Sequence, residues 1–185
     1  KEKFLDYPCS DDAKKIGAVN TLTLLEDGKI FGDNTDWIAI YNTIFDYTCL
    51  DKFENVKALI IGTGGTARSA CYAIQQLEFS LYIKGRSREK MNVFSENFNA
   101  MPAYEINGQL KTNNEENLEK EILLIIITIP GSVSLDLTEY TNCKLIIDMA
   151  YDPIMKRKYN KNAEIIDGKE ILYKQAELQN KIWEK

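Results

Sequence analysis

Histidine is absent from the 185 residues. A Ser-His-Asp triad, a Cys-His dyad and every histidine-containing metal site are therefore excluded. Any proton transfer has to run through carboxylate, lysine, tyrosine or cysteine side chains. Cysteine is sparse: Cys9, Cys49, Cys71 and Cys143 are scattered, and none forms a Cys-x-x-Cys pair. They read as reduced, mostly buried thiols of a cytoplasmic protein rather than as a disulfide framework or a zinc site. Excess positive charge is lacking, the formal net charge being -5. That speaks against a nucleic-acid or anionic-membrane partner, because phosphates reward clusters of Lys and Arg. No uncharged run is long enough to span a bilayer; the most apolar one, Ile122 to Ile129, has the length of a buried strand. A start methionine and a signal-peptide pattern are missing too, so the chain, opening at Lys1, reads as a piece of a longer polypeptide.

What remains is an ordinary globular balance, 44% hydrophobic and 28% charged, with enough residues for one core and part of a second. A polar first segment leads into Ile16 to Leu25, a turn at Glu26 to Lys29, and Ile30 to Gly32, a strand-turn-strand pattern. Asp33-Asn34-Thr35-Asp36 is a loop with helix-capping residues, followed by helical spacing from Trp37 to Phe45. Lys52 to Asn55 is the best domain boundary. Beyond it, apolar strands at Val56 to Ile61, Phe79 to Ile83, Ile122 to Ile129 and Leu145 to Met149 alternate with helices at Ser69 to Leu77 and Arg88 to Phe98. A weaker strand is expected around Ala103 to Ile106 and a terminal helix over Lys169 to Trp183. This alternation predicts an α/β fold, a Rossmann-like parallel sheet with helices on both faces.

The glycine-rich turn Gly62-Thr63-Gly64-Gly65-Thr66-Ala67-Arg68 follows a strand and opens a helix. Gly62 suits a sharp exit from the strand, and Gly64 lets backbone approach a pyrophosphate that the helix N-terminus attracts. The spacing departs from Gly-x-Gly-x-x-Gly, with Ala67 at the third position and an extra glycine at Gly65. A tight strand-to-helix connection without a ligand is the alternative reading. At the end of the second strand stand Lys84, Arg86, Arg88 and Lys90, with no acid before Glu89. A basic residue there suits the 2′-phosphate of NADP, where an acid would suit NAD; a solvated basic loop is the alternative. Asn20 and Asp36, taken alone, read as a turn residue and a helix cap.

Taken together, Ile16-Gly17-Ala18-Val19-Asn20-Thr21, Gly32-Asp33-Asn34-Thr35-Asp36 and Gly62 to Arg68 resemble, in order and spacing, the successive signatures of shikimate dehydrogenase. Gly85-Arg86-Ser87, Asp148 to Pro153, and Gly168 with Leu172 and Gln175 extend the resemblance over almost the whole chain. Gly32 to Trp37, Gly64 to Arg68 and Thr128-Ile129-Pro130 are most like the C-terminal domain of the pentafunctional arom polypeptide. The resemblance implies reversible, NADP-dependent reduction of 3-dehydroshikimate to shikimate, a step of aromatic amino-acid biosynthesis. It implies Asp36 as catalytic aspartate and Asn20, Tyr151 and Gln175 as substrate contacts. It places Gly62, Gly64, Gly65, Thr66, Ala67, Arg86, Ser87, Thr128, Met149 and Gly168 at the cofactor, with no metal.

Departures accompany the match. The family's catalytic lysine, set in a Thr-x-Pro-x-Lys context, falls just before Lys1, and Lys1 and Lys3 lack that context. The paired serines that grip the substrate carboxylate lie further upstream. Gly85 replaces the asparagine of the family's Asn-Arg-Thr. The expected organisation is residues 1–51 as part of a substrate-binding domain and linking helix, 52–168 as the NADP-binding domain, and 169–185 as a helix returning toward the substrate domain. Other domains of a longer polypeptide are the expected partners. The alternatives are a non-catalytic, quinate-sensing repressor relative and an NAD-dependent quinate/shikimate dehydrogenase.

Overall fold

The structure, a computed structural model, describes residues 2–47, 50, 54–106, 109–112, 117–151 and 157–184. Lys1, Cys49, Lys52, Phe53, Asp152 and Pro153, and the side chain of Lys3, lie outside the described residues.

The centre is a six-stranded sheet built from β3 (Lys57–Ile61), β4 (Ser80–Lys84), β5 (Met101–Pro102), β8 (Ile122–Ile127), β10 (Leu145–Asp148) and β12 (Glu164–Asp167). Its order is β12-β10-β8-β3-β4-β5, and every pair is parallel. The chain builds outward from β3 in one direction, then returns to β8 and builds outward in the other. The reversal lies between β3 and β8, and in open α/β sheets the crevice at the carboxyl end of that point is where ligands bind.

The apolar runs are explained by burial on both faces. Ala58, Ile60, Leu124, Ile126 and Ile147 point into one core. Leu59, Ile61, Ile125, Ile127 and Ile146 point into the other. On the first face lie α2 (Asp36–Phe45), α3 (Gly65–Gln76), α4 (Arg88–Phe98) and α5 (Gly168–Trp183), through Ile40, Ile44, Ala70, Phe94 and Ile171. The parallel α/β architecture is thus the one the sequence predicts, but its second face is covered differently in detail. There, among the described residues, single apolar side chains plug the sheet: Leu110 from a small antiparallel hairpin (β6, Tyr104–Ile106; β7, Gln109–Lys111), Leu118 from a 3-10 turn, and Leu137 and Tyr140 from loops. The sequence between β6 and β8 is polar and Asn- and Glu-rich, with no apolar stripe of helical period to lay against this face.

Other differences have equally local causes. The strand expected at Ala103 to Ile106 divides: Met101–Pro102 is the sheet edge, where proline is tolerated, and Tyr104–Ile106 belongs to the separate hairpin. Helix α3 starts at Gly65 rather than Ser69. Several short elements were not anticipated, among them the parallel pair β9 (Leu135–Asp136) and β11 (Arg157–Lys158) outside the sheet. Helix α1 (Asp11–Ile16) buries only Ala13 and Ile16, too few to show a period; Ser10 caps it and Gly17, at φ 71°, ends it. Strand β12 is an edge strand of four residues with charged ends.

The N-terminal part adds an antiparallel hairpin of β1 (Thr21–Leu24) and β2 (Ile30–Asp33), turning through Gly28 at φ 79°. Helix α5 returns to it: Trp183 Nε1 donates to Leu22 O at 3.1 Å, and Gln179 Nε2 to Thr21 Oγ1 at 3.1 Å. Cys9, Cys71 and Cys143 are buried free thiols. Among the described residues no helix is long and apolar enough to cross a membrane.

Burial pushes the Cys143 thiol up to about 12 and the Cys71 thiol well above its usual 9.0. Burial and then the hydrogen bond to Asp12 push the Tyr72 phenol to about 12. Each group is neutral when folded and ionises more easily when unfolded. Its contribution to stability is therefore complete below the unfolded value and is lost as pH rises toward the folded one. The urea midpoint is expected to fall steadily above about pH 9; a midpoint unchanged up to pH 11 would contradict this.

Candidate functional site

A cavity of 460 Å³ opens at the carboxyl ends of β8 and β10, beside the glycine-rich turn. Asn20, Asp36, Gln175 and Gln179 line one side of it, Thr66 and Thr128 another, and Met149, Ala150, Tyr151 and Gly168 a third.

The Asn20 side chain is the hub of the polar side. Its Nδ2 donates to Asp36 Oδ1 at 2.7 Å, and lies 3.1 Å from Thr35 Oγ1 and 3.3 Å from Gln175 Oε1. Its Oδ1 accepts from Thr35 N at 2.8 Å and from Thr21 Oγ1 at 2.8 Å. The start of β1, the start of α2 and the middle of α5 therefore meet at one amide. Asn20 is not simply a turn residue, and Asp36 is not the cap of its helix. The N-cap of α2 is Thr35, without a side-chain cap bond, and Asp36 is the first helical residue. The buried Asp36 carboxylate turns inward to Asn20 instead. Asn34, fully buried, supports the turn from behind by donating to Ala18 O at 2.9 Å and bonding Ser69.

The glycine turn divides into two kinds of glycine. Gly62 has φ 123°, and a Cβ there would collide with Thr128 Oγ1. That hydroxyl donates to Ile61 O at 3.0 Å and is held against the turn. Gly62 is thus fixed by the fold. Gly64 is exposed, has an extended backbone, and a Cβ on it would meet nothing within 4 Å. Nothing among the described residues requires glycine there, and the space in front of it is open. Gly64 is also the N-cap of α3 and provides no side-chain cap, so the first-turn N–H groups of Gly65, Thr66 and Ala67 are left for an external acceptor. Gly168 is fixed again by packing, since a Cβ would lie 2.6 Å from the Met149 carbonyl.

At the end of β4 the four cations are not equivalent. Lys84 pairs with Glu105 at 3.0 Å, and Arg88 stacks over Tyr104 at 4.8 Å. Arg86 is exposed and takes part in no hydrogen bond or ion pair among the described residues. Ser87 caps α4 by accepting from Lys90 N at 3.3 Å. A Cβ at Gly85 would lie 2.7 Å from Thr63 Cγ2, so an asparagine there would require the Thr63 side chain to shift.

The cavity thus gathers Asn20, Asp36, Thr66, Thr128, Met149, Tyr151, Gly168 and Gln175, with the exposed Tyr151 at its rim. Gly62, Gly64, Gly65, Ala67, Arg86 and Ser87 do not line it; they lie along the adjoining turn and strand end. Sequence reasoning missed Thr21 and Thr35 in the hub and Gln179 on the wall. Gln179 follows Gln175 by four residues on the same helix, a spacing that would have found it. The described residues hold no group of three or more potential metal ligands of the His, Cys, Asp and Glu type.

Comparison with models of protein families gives no match. Individual proteins do match. A shikimate dehydrogenase of Sulfurisphaera tokodaii is 36% identical over 188 residues, which is 99% of this chain and 65% of the relative. The pentafunctional AROM polypeptide of Kluyveromyces lactis is 31% identical over 96% of this chain and 12% of its own length. The chain therefore spans less than two thirds of either relative. Among solved structures, shikimate dehydrogenase from Aquifex aeolicus superposes with a TM-score of 0.74 at 26% identity, covering 99% of this chain and 68% of that one. The dehydroquinate dehydratase and shikimate dehydrogenase of S. pombe AroM gives 0.72 at 25%, covering 99% and 38%. Thermus thermophilus shikimate 5-dehydrogenase, solved with NADP(H) and shikimate, gives 0.74 at 22%, covering 99% and 69%.

Removing the hub should loosen three segments at once. Asn20→Ala strands the Thr35 N–H and the Thr21 hydroxyl, and is expected to cost about 1–3 kcal/mol in urea denaturation. A loss below about 0.5 kcal/mol, within the range of an ordinary surface substitution, would show that water replaces the amide without penalty.

Proposed function

We propose that the chain belongs to the shikimate dehydrogenase family and carries the cofactor-binding part and the aspartate side of an NADP-dependent enzyme that interconverts 3-dehydroshikimate and shikimate. One observation carries the reading. A single cavity has the Asn20–Asp36 pair, 2.7 Å apart, on one side and the turn-end residues Thr66 and Thr128 on another. A polyhydroxylated ring held by amides and a carboxylate would thus lie beside whatever sits on the glycine turn.

The residues fit NADP. Gly64 offers open space where backbone has to approach a pyrophosphate, and the uncapped start of α3 offers N–H donors. Arg86, exposed and without a side-chain partner among the described residues, stands at the strand end where a 2′-phosphate would be recognised, with Ser87 beside it. Thr128, Met149 and Gly168 would flank the nicotinamide. When bound, that ring supplies or accepts the hydride. The protein's own part is orientation and proton movement. Asn20 holds Asp36 from one side, and a carboxylate so held can accept a hydrogen bond from the reacting hydroxyl and steady a neighbouring lysine. Gln175 and Tyr151 would close over the substrate from the cofactor side.

The family's lysine is expected upstream of Lys1, so the 185 residues by themselves should bind NADP and turn over little. In this reading residues 1–51 are the near edge of the substrate domain, 52–168 the cofactor domain and 169–185 the returning helix. Further domains of a longer, cytoplasmic polypeptide complete the enzyme.

NADPH is expected to bind the chain more tightly than NADH, and Arg86→Ala to remove about 10- to 100-fold of that preference, the worth of a charge-assisted hydrogen bond. Equal binding of the two cofactors to the unsubstituted chain, measured by titrating their fluorescence, would refute the assignment. In the polypeptide extended upstream of Lys1, Asp36→Asn is expected to lower kcat about 100-fold or more while NADPH affinity changes little. Full turnover in that variant would reduce Asp36 to a structural role. Absence of shikimate oxidation in the extended protein itself would favour a sensor over an enzyme.

A further inference from the structure

Behind the cavity wall lies a charged cluster whose arginine stands outside the motifs quoted above and outside the proposed chemistry. The side chains of Arg157 and Asp148 are both 0% exposed and form an ion pair through Nη1 and Oδ2. Arg157 Nη2 donates to two successive carbonyls, Ile129 O at 2.8 Å and Pro130 O at 2.7 Å. Asp148 Oδ1 accepts from Ala150 N at 3.1 Å, and Tyr159 Oη donates to Oδ2 at 2.7 Å. Burial and then this hydrogen bond push the Tyr159 phenol up to about 12, which keeps it a donor.

These contacts join two separate loops. One leaves β8 and contributes Thr128 to Gly131 to the cavity; the other leaves β10 and contributes Met149 to Tyr151. The parent strands are adjacent and in register, Ile127 opposite Asp148, but the strand ladder stops there. Beyond it, one guanidinium grips the first loop by two carbonyls and the second through Asp148. A planar fork with several fixed donors can do this; a lysine ammonium, a point charge on a flexible stem, cannot hold all three acceptors in one plane. Both charges are buried, and such a pair is a poor source of stability compared with apolar packing. Its use here is geometric.

We propose that Arg157 is a positioning residue that sets the distance between the 128–131 and 149–151 loops, and with it the seat of the nicotinamide end of the cofactor. The inference rests on the NADP reading given above. It separates the two ends of the cofactor. The glycine turn and Arg86 hold the adenosine half without help from Arg157, whereas the nicotinamide half depends on both loops.

The test compares two probes on the 185-residue chain: NADPH, and adenosine 2′,5′-bisphosphate, which occupies only the adenosine end. Arg157→Lys keeps the charge and removes the fork. The double variant Arg157→Gln/Asp148→Asn removes both charges, so that no unpaired charge remains buried if the lysine variant does not fold. In whichever variant retains the far-UV and near-UV circular dichroism of the unsubstituted chain, NADPH affinity is expected to fall about tenfold or more, while bisphosphate affinity stays within about twofold. The enhanced fluorescence of bound NADPH should fall as well. Equal loss for both probes would mean general loosening and overturn the proposal, as would no loss for either. Failure of the unsubstituted chain to bind either probe would overturn the cofactor reading and the inference with it.

Discussion

The site depends on the side-chain amide of Asn20. Its two polar atoms reach Thr21 at the start of β1, Thr35 and Asp36 at the start of α2, and Gln175 in α5. The last of these lies 155 residues away in sequence. Thr35 is fully buried and Asp36 and Gln175 nearly so, so these groups need partners, and they find them in one another. The consequence is that the polar side of the cavity exists only when α5 has returned and docked. Gln179 and Trp183, one and two turns further on, fasten the same helix to Thr21 and Leu22 and keep that return in register. Folding of the last segment and completion of the site are therefore one event.

The sheet imposes the second constraint. Its order reverses between β3 and β8, and both neighbouring loops must pass through the crevice that reversal leaves. Thr128 and Gly62 meet there so closely that only glycine fits. Gly64, two residues on, faces open space and is free of any such demand. The same motif thus contains one glycine that the fold needs and one that it does not, and only the second is evidence for a ligand. Gly168 is of the first kind, because the start of α5 presses against the Met149 carbonyl. Its place on the cavity wall follows from packing and would hold whether or not a cofactor sits opposite.

How much of this was legible in the sequence follows from how local each signal is. Strands β3, β4, β8 and β10 were readable because burial on both faces forces continuous apolar runs. The edge strand β12 and the two-residue β5 were not, since an edge needs little apolar surface. Asn20 and Asp36 were visible as polar punctuation, but their bond links positions 16 residues apart and no local rule predicts it. Physics alone read them as a turn and a cap, and only their register with other motifs gave them a shared role. The basic strand end was legible as a cluster. That two of its four cations are already engaged, leaving Arg86 and Lys90, needed the positions of Glu105 and Tyr104.

The walls of the cavity differ in kind, and the difference bears on what each can do. On the Asn20 side, amides and hydroxyls surround a single carboxylate, and every contact is a hydrogen bond that a polyol could join or replace at small cost. On the Met149 side, the lining is backbone and apolar side chain, and the charge lies behind it, sealed between Arg157 and Asp148. A surface pair such as Lys158 and Asp136, exposed and screened by solvent, contributes little. A sealed pair cannot exchange its partners for water, and so it fixes the loops it touches. On the proposed reading, an adaptable polar wall for the substrate and a rigid apolar wall for a flat ring form a sensible division for hydride transfer, in which one face of the ring has to be held still while the hydroxyl opposite gains and loses a proton.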